Sequence, residues 1–287
     1  MIVFQDNIRL SLDIFTLLSE NGFGEVLLTT SKGVYLQFSS GILLLTDLDS
    51  GITPIGLGLS KFVHFLTVIK PERNQPVRFT DGRFYFPGGI LEPQWKIVQL
   101  NKVTYSVLPD RVIDAGKQLQ AWSAGSRGVA SLVGPLLLDQ PMNQNETVNQ
   151  YCIAAEPVLR ELTEFQSCDI DAAVGRLIGL GLGLTPSLDD VMLGLMYGLI
   201  RLAPQEPQTA SVRKAILKHA PTRTNAISGA YLYAVAQGRP FERLDDILSG
   251  LAGTIPLDIA PILQIGSSSG SEMLLGLLLA AKMIMKG

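Results

Sequence analysis

Residue types that often build enzyme sites are scarce in this sequence. Its 287 residues include two histidines, His64 and His219, far apart in the chain, and two cysteines, Cys152 and Cys168, which do not form a CxxC pair. Zinc sites usually combine closely spaced histidine and cysteine ligands, so no zinc motif is predicted. A Ser-His-Asp triad would have to recruit one of the two histidines. We expect both to be ordinary surface or core residues.

Long apolar runs and blocks of basic charge are also missing. The apolar run 273–285 is shorter than the roughly 20 residues that a membrane-spanning helix needs. The run 174–202 is interrupted by Pro186 and two aspartates. The net charge of −3 comes without a basic block, which argues against a general nucleic-acid binder. With no signal peptide recognised, we expect a cytoplasmic protein with reduced thiols and with neither membrane nor nucleic acid as a partner.

What the sequence does have is enough apolar residues for a large core. They make up 47% of the chain, and the mean hydropathy is +0.28, so global disorder is not expected. Residues 22–108 consist of short runs rich in Val, Leu, Tyr and Phe, separated by glycine turns. This texture is typical of antiparallel strands. We predict strands over 25–30, 34–38, 42–46, 63–69, 76–79, 83–86 and 95–105.

The predicted architecture is α+β. The β-rich domain, a small barrel or sandwich over residues 1–108, begins with a helix at 7–19, where apolar residues recur at helical spacing. Asp81-Gly82 indicates a hairpin turn. Helical spacing dominates from 109 to 287, which we predict to be a mostly α-helical domain. Its helices are expected over 111–122, 128–138, 146–165, 170–180, 191–202, 212–219, 239–251 and 259–265, with a last helix to the C-terminus and a polar connection at 143–146.

The most distinctive stretch is 179–190, Gly-Leu-Gly-Leu-Gly-Leu-Thr-Pro-Ser-Leu-Asp-Asp. Alternating glycines allow backbone angles that are closed to other residues. Thr185, Pro186 and Ser187 are typical of a helix start, where hydroxyls cap N–H groups and proline leaves none unsatisfied. Such a start carries partial positive charge and free N–H donors, so it can bind an anion.

The same pattern recurs near the C-terminus. When 183–195 is laid on 265–277, four pairs of like residues fall in register: Thr185 with Ser267, Ser187 with Ser269, Asp190 with Glu272 and Gly194 with Gly276. This repeat predicts a duplicated half-site, in which two helix starts face each other around one polar pocket. A purely structural alternative stays open, because Ser187-x-x-Asp190 and Ser269-x-x-Glu272 also fit capping boxes.

A third polar cluster, Arg223-Thr224-Asn225-x-x-Ser228, precedes another helical pattern. Thr224 is predicted to be its N-cap. The planar guanidinium of Arg223 suits two-pronged donation to a carboxylate or phosphate. The alternative is an exposed arginine beside an ordinary cap.

Together these motifs resemble a bacterial family that includes the AllH-type subunit of oxamate carbamoyltransferase, from anaerobic allantoin breakdown. The motifs are Gly181-x-Gly183-Leu-Thr-Pro-Ser-x-Asp-Asp, the cluster 223–228, and Ile265-Gly-x-Ser-Ser-Gly. The family usually has proline where this chain has Leu182, glycine where it has Leu188 and aspartate where it has Glu272. The resemblance is strongest from about 170 to the end and weak in the N-terminal part.

The resemblance implies a transferase subunit that works with other subunits and binds a small carboxylate or phosphate between two helix N-termini. A non-catalytic ligand-binding or assembly subunit is the alternative. Asp189 and Asp190 are the candidate catalytic residues, as proton acceptors or as groups that orient a hydroxyl. No cofactor is evident, although acids beside a phosphate site could hold Mg²⁺. The residues expected to bind substrate are Gly183, Thr185, Ser187, Arg223, Thr224, Asn225, Ser228, Gly266, Ser267, Ser268, Ser269, Gly270 and Glu272.

Overall fold

A computed structural model describes residues 2–18, 22–100, 103–123, 128–141, 149–164 and 169–286. The chain forms two compact units. One comprises Met1–Asn101 with Arg239–Glu242, and the other comprises Lys102–Gly238 with Arg243–Gly287. Strands occupy the first unit and helices dominate the second, so the predicted α+β class is confirmed. The boundary at 108/109 stays a prediction of where independently folding domains would separate.

Eight strands form a closed barrel in the order β1-β5-β4-β3-β2-β6-β7-β8. All neighbours are antiparallel except β1 with β8 and β4 with β5, which are parallel. Closure leaves no open edge strand. The strands are β1 Val3–Ser11, β2 Gly22–Thr29, β3 Gly33–Phe38, β4 Gly41–Asp47, β5 Gly56–Leu59, β6 Pro76–Thr80, β7 Arg83–Phe86 and β8 Gly89–Val98.

Alternating apolar residues fill the barrel interior. In β1, the side chains of Phe4, Ile8 and Leu10 are buried and alternate with exposed or half-buried residues between Val3 and Arg9, as expected where one face of a strand meets a core. The Asp81-Gly82 hairpin is confirmed. Both residues have positive φ, 51° and 73°, and they join β6 to β7 as a two-residue turn.

Two secondary-structure predictions in the first unit are wrong. The segment 7–19 is not one helix, because β1 runs to Ser11 and only the short helix α1, Leu12–Leu17, follows. Spacings of two and of about four residues both fit this short apolar run, and pairing with β5 and β8 favours the strand.

The segment 63–69 is a helix, α2 Phe62–Ile69, and not a strand. Its buried residues Phe62, Phe65 and Ile69 recur at helical spacing. The predicted strand 95–105 lies within β8 only as far as Val98.

Helices build the second unit. Most predicted helices are present; 128–138 divides into a 3₁₀ turn and α4, and 212–219 is the centre of a longer helix, α8, which continues through Pro221. The predicted connection at 143–146 and Cys168 lie outside the described residues. The remaining helices are α3 Pro109–Trp122, α4 Val133–Leu137, α5 Gln150–Glu164, α6 Ile170–Leu177, α7 Ser187–Leu202, α8 Pro207–Arg223, α9 Ala226–Ala236, α10 Glu242–Leu251, α11 Ala260–Leu263 and α12 Ser269–Lys286.

Helices α7 and α12 pack against each other at the centre of this unit. Nearly all of α7 is buried, as expected for a helix that is apolar on all sides. At the crossing, a Cβ on Gly194 would overlap the carbonyl oxygen of Met273, and a Cβ on Gly276 would overlap that of Val191. Glycine at both positions therefore lets the two backbones touch.

This contact gives the first prediction. Substitution Gly194→Ala should lower the free energy of unfolding by about 1–3 kcal/mol, the usual cost of overpacking, although alanine favours a helix by roughly 1 kcal/mol over glycine. Gly229→Ala in α9 is the matched control, because its added Cβ would meet its nearest neighbour at 3.8 Å. That variant should keep or raise stability in urea unfolding. Equal effects of the two substitutions would contradict the close crossing.

Candidate functional site

The glycine loop before α7 turns back on the helix that it precedes. Gly179, Gly181 and Gly183 have positive φ of 83°, 121° and 111°, where side chains are strongly disfavoured. The backbone N–H of Leu188 donates to the carbonyl of Leu180 at 3.0 Å. The loop therefore consumes one of the N–H donors that an isolated helix start leaves free.

The capping box, which is the structural alternative for Ser187, does not form. Helix α7 begins at Ser187, its N-cap is Pro186, and no side chain caps it. Proline thus precedes the helix and does not occupy its first turn. The Ser187 hydroxyl lies instead near the carboxyl of Glu272 in α12 and lowers its pKa, because the close helix crossing brings the two helices together.

Asp189 joins the glycine loop to the turn between α8 and α9. One carboxylate oxygen, Oδ1, accepts the backbone N–H of Gly179 at 2.7 Å. The other, Oδ2, accepts the hydroxyls of Thr224 and of Ser228, the latter at 2.6 Å. Three donors from two loops make Asp189 a strong link between them.

Thr224 is therefore not the N-cap of α9, which corrects that prediction. Asn225 is the N-cap, and its side chain accepts the backbone N–H of Ser228 at 3.0 Å. Its amide group also donates to the carbonyl of Leu184 at 2.8 Å. Threonine and asparagine are both common N-cap residues. Here the Thr224 hydroxyl donates to the buried Asp189, and the cap is left to Asn225.

Asp190 joins the same loop to the start of α12. The Thr185 hydroxyl donates to Asp190 Oδ2 at 2.8 Å and lies 3.3 Å from the Ser269 hydroxyl. The nearby Ser269 hydroxyl also lowers the pKa of Asp190. The two serine-bearing turns that the sequence repeat pairs are therefore in direct contact.

Glu272 occupies the position in α12 that corresponds to Asp190 in α7. Its side chain is 1% exposed, and the nearby hydroxyls of Ser187 and Ser268 lower its pKa. One carboxylate oxygen, Oε1, is buried and has no hydrogen-bond partner among the described residues. A buried carboxylate oxygen without a donor is costly, so the ionised form of Glu272 is unfavourable in this cluster.

Burial raises the pKa of all three carboxyls. The pKa of Asp190 rises to about 8, because burial and the neighbouring acids Glu272 and Asp189 outweigh the hydrogen bonds from Thr185 and Ser269. The pKa values of Asp189 and Glu272 also rise through burial, although hydroxyl donors oppose the rise. Within the described ranges, no lysine, arginine or histidine forms an ion pair with these acids.

The remaining candidate residues form an outer layer and a frame. Arg223, Asn225 and Ser267 are exposed, and Ser268 is half-buried. In the described part of the chain, the Arg223 guanidinium has no hydrogen-bond or ion-pair partner. Two of the candidate glycines have structural roles: Gly266 has a positive φ of 64°, and Gly270 is buried against the Ile262 carbonyl. Gly183, in the first loop, is exposed.

A cavity of about 330 Å³ lies between α8 and α9, beside this cluster. Thr224 and Asn225 belong to both, while Ile216, Leu217 and Tyr233 form apolar walls that sequence reasoning did not single out. Their helical spacing is no different from that of core residues. Among the described residues, no three His, Cys, Asp or Glu side chains are grouped to hold a metal ion.

The second unit is thus a helical domain in which three polar turns meet around buried acids. Residues 177–281 match the family model of the oxamate carbamoyltransferase subunit AllH. The match spans all three turns and most of α12, and it confirms the predicted resemblance over this segment. No solved structure gives a significant match. None of the described helices has both the length and the apolar character needed to cross a bilayer.

The Asp189 contacts give the second prediction. Thr224→Val keeps the side-chain shape but removes one donor to a buried carboxylate, so it should cost about 1.5–3 kcal/mol of stability, the range for hydrogen bonds to charged groups. Thr222→Val is the matched control, because Thr222 is exposed and its hydroxyl reaches only the His219 carbonyl at 3.4 Å. Chemical denaturation of both variants measures the difference. A loss no larger than that of the control would contradict the assigned contact.

Proposed function

We propose that this chain is a subunit of a carbamoyltransferase of the oxamate type and binds a small carboxylate or phosphate at the starts of α7 and α12. The family match carries this proposal, because residues 177–281 contain all three polar turns. The contacts of Thr185 with Ser269 and of Thr224 with Asp189 support it, since they join those turns into one cluster.

Carbamoyl transfer between an amide nitrogen and phosphate sets three chemical demands. The phosphate and the substrate carboxylate need cationic or N–H donors. The carbonyl oxygen needs donors when it gains charge in the transition state. The leaving nitrogen needs a proton when its bond to the carbamoyl carbon breaks. A site for this reaction therefore combines an anion-binding side with an acidic side.

The two layers of the cluster fit these demands. Arg223 and Ser267 are exposed donors and would bind the anion, with Arg223 as a two-pronged partner of the carboxylate. Thr185, Ser268 and Ser269 would contact the reacting carbonyl. The buried acids would repel an anion placed directly on them, so we assign the negatively charged groups of the substrate to the outer layer.

A second role, as a ligand-binding or assembly subunit without catalysis, has its own support. Leu182 and Leu184 in the glycine loop are 72% and 44% exposed. Apolar side chains at a loop tip suit contact with a partner subunit. Both roles agree with a multi-subunit enzyme; they differ in whether this chain touches the reacting atoms.

Ligand binding gives the third prediction. Oxamate, carbamoyl phosphate or inorganic phosphate should raise the melting temperature of the purified chain, because a ligand that binds only the folded state stabilises it. Arg223→Gln should remove most of this shift, and Arg176→Gln, which removes an exposed arginine at the end of α6, should leave it unchanged. No shift with any of the three compounds, or an equal loss in both variants, would contradict the proposed site.

An activity assay separates the two roles. Phosphate-dependent cleavage of oxalurate is measured for the purified chain alone and together with its presumed partner subunits. A catalytic subunit predicts that Arg223→Gln lowers the activity of the assembled enzyme while assembly itself, followed by size-exclusion chromatography, is retained. Full activity of an assembled Arg223→Gln enzyme would favour the assembly role.

A further inference from the structure

Three carboxyls without a cationic partner among the described residues lie in one buried cluster. Asp189, Asp190 and Glu272 are each at least nine-tenths buried, and they come from two helices. The described residues supply no cation to the cluster, and Glu272 Oε1 has no donor. Three ionised carboxylates this close in an apolar interior would be strongly unfavourable. Protonation of one of them relieves both the burial cost and the repulsion.

Asp190 is the best placed of the three to hold the proton. Asp189 accepts three hydrogen bonds, which favour its ionised form. Asp190 faces negative charge on both sides, from Asp189 in its own helix and from Glu272 in α12. Cys152 of α5 lies next to Glu272 as a neutral thiol, because burial raises its pKa to about 11. Among the described residues, Glu272 and Asp189 are the charged groups that raise the pKa of Asp190.

Two hydroxyls extend outward from Asp190. Thr185 Oγ1 lies 2.8 Å from Asp190 Oδ2, and Ser269 Oγ lies 3.3 Å from Thr185 Oγ1. Both Thr185 and Ser269 are half-buried, whereas Asp190 is buried. Each hydroxyl can donate one proton and accept another, so the three groups can pass a proton in either direction.

We propose that Asp190 holds a proton at neutral pH and delivers it to the surface of the site through the hydroxyls of Thr185 and Ser269. Asp190 is then the proton store of the site, and Asp189, one residue away, is the ionised link that positions the loops. The two neighbouring aspartates have different roles because hydroxyl and N–H donors are unequally divided between them.

The link to catalysis rests on the proposed function. A phosphate oxygen bonds to the carbamoyl carbon while the bond from that carbon to the amide nitrogen breaks. The Asp190 proton, passed along the hydroxyls, reaches the leaving nitrogen, and the proton of the attacking hydrogen phosphate restores Asp190. Protons and charge balance, and no further reactant is required.

Infrared spectroscopy of the purified chain tests the proton itself. At neutral pH, the difference spectrum between wild type and Asp190→Asn should contain the C=O band of a protonated carboxyl, and this band should disappear as pH rises through about 8. Asp139→Asn is the control, since Lys282 keeps the pKa of that exposed carboxyl low. If Asp190→Asn fails to fold, the wild-type band alone is titrated. Absence of the band at neutral pH would overturn the proposal.

The pH dependence of stability gives a second readout. The pKa of Asp190 is raised from 3.8 to about 8 on folding, so between these values the folded state holds a proton that the unfolded state has lost. Wild-type stability relative to Asp190→Asn should therefore fall as pH rises from about 5 to 8. Parallel curves for the two proteins, measured by urea midpoint, would overturn the proposal.

The relay is tested through Thr185→Val, which removes one hydroxyl at constant shape. Deuterium exchange of the Asp190 carboxyl, followed by its infrared band, should be slower than in wild type. In the active enzyme, this variant should lower kcat by on the order of 10²-fold and move the pH profile, with KM nearly unchanged. Unchanged exchange would overturn the relay. If the assembled wild-type enzyme has no activity, while wild type shows the infrared band and Thr185→Val slows the exchange, the proposed function alone is contradicted.

Discussion

The helical unit depends on the contact between the backbones of α7 and α12. At Gly194 and Gly276 no side chain separates the two backbones, so the carbonyls of Met273 and Val191 pack directly against these glycines. This close approach brings the first turn of one helix against that of the other. Asp190 and Glu272, which would otherwise face solvent near separate helix starts, are thereby buried together. The polar cluster is a consequence of the crossing and of the apolar surfaces around it.

The crossing also decides how the donors are divided. In an isolated helix, N-terminal N–H groups and capping hydroxyls are available to an external anion. Here the Leu188 N–H returns to the glycine loop, and the hydroxyls of Thr185 and Thr224 serve the chain's own carboxyls. The interior is therefore acidic, while Arg223, whose guanidinium has no partner in the described part of the chain, is exposed. This inner and outer division explains how one cluster could bind an anion and supply a proton.

Sequence reasoning reached the α+β class, with a barrel as one of two alternatives for the strands, and the meeting of the two serine turns, each through a repeated local signal. Glycine turns mark the strands, and the register that pairs Gly194 with Gly276 reflects two helices that cross at equivalent places. It missed β1, because a short apolar run fits two periods and the pairing of β1 with β5 and β8 decides between them. It assigned the N-cap of α9 to Thr224 wrongly, because the acceptor of that hydroxyl, Asp189, is distant in sequence and becomes available only on folding.

A double-mutant cycle between Asp190→Asn and Glu272→Gln tests most directly whether the two helix starts act as one site. Replacing either acid removes the repulsion between the two buried carboxyls. Each replacement should therefore change the free energy of unfolding less in the background of the other than in wild type. The account predicts a coupling free energy on the order of 0.5–3 kcal/mol at neutral pH, the range for groups in one network. Additivity within about 0.5 kcal/mol, as found for distant and independent positions, would contradict it.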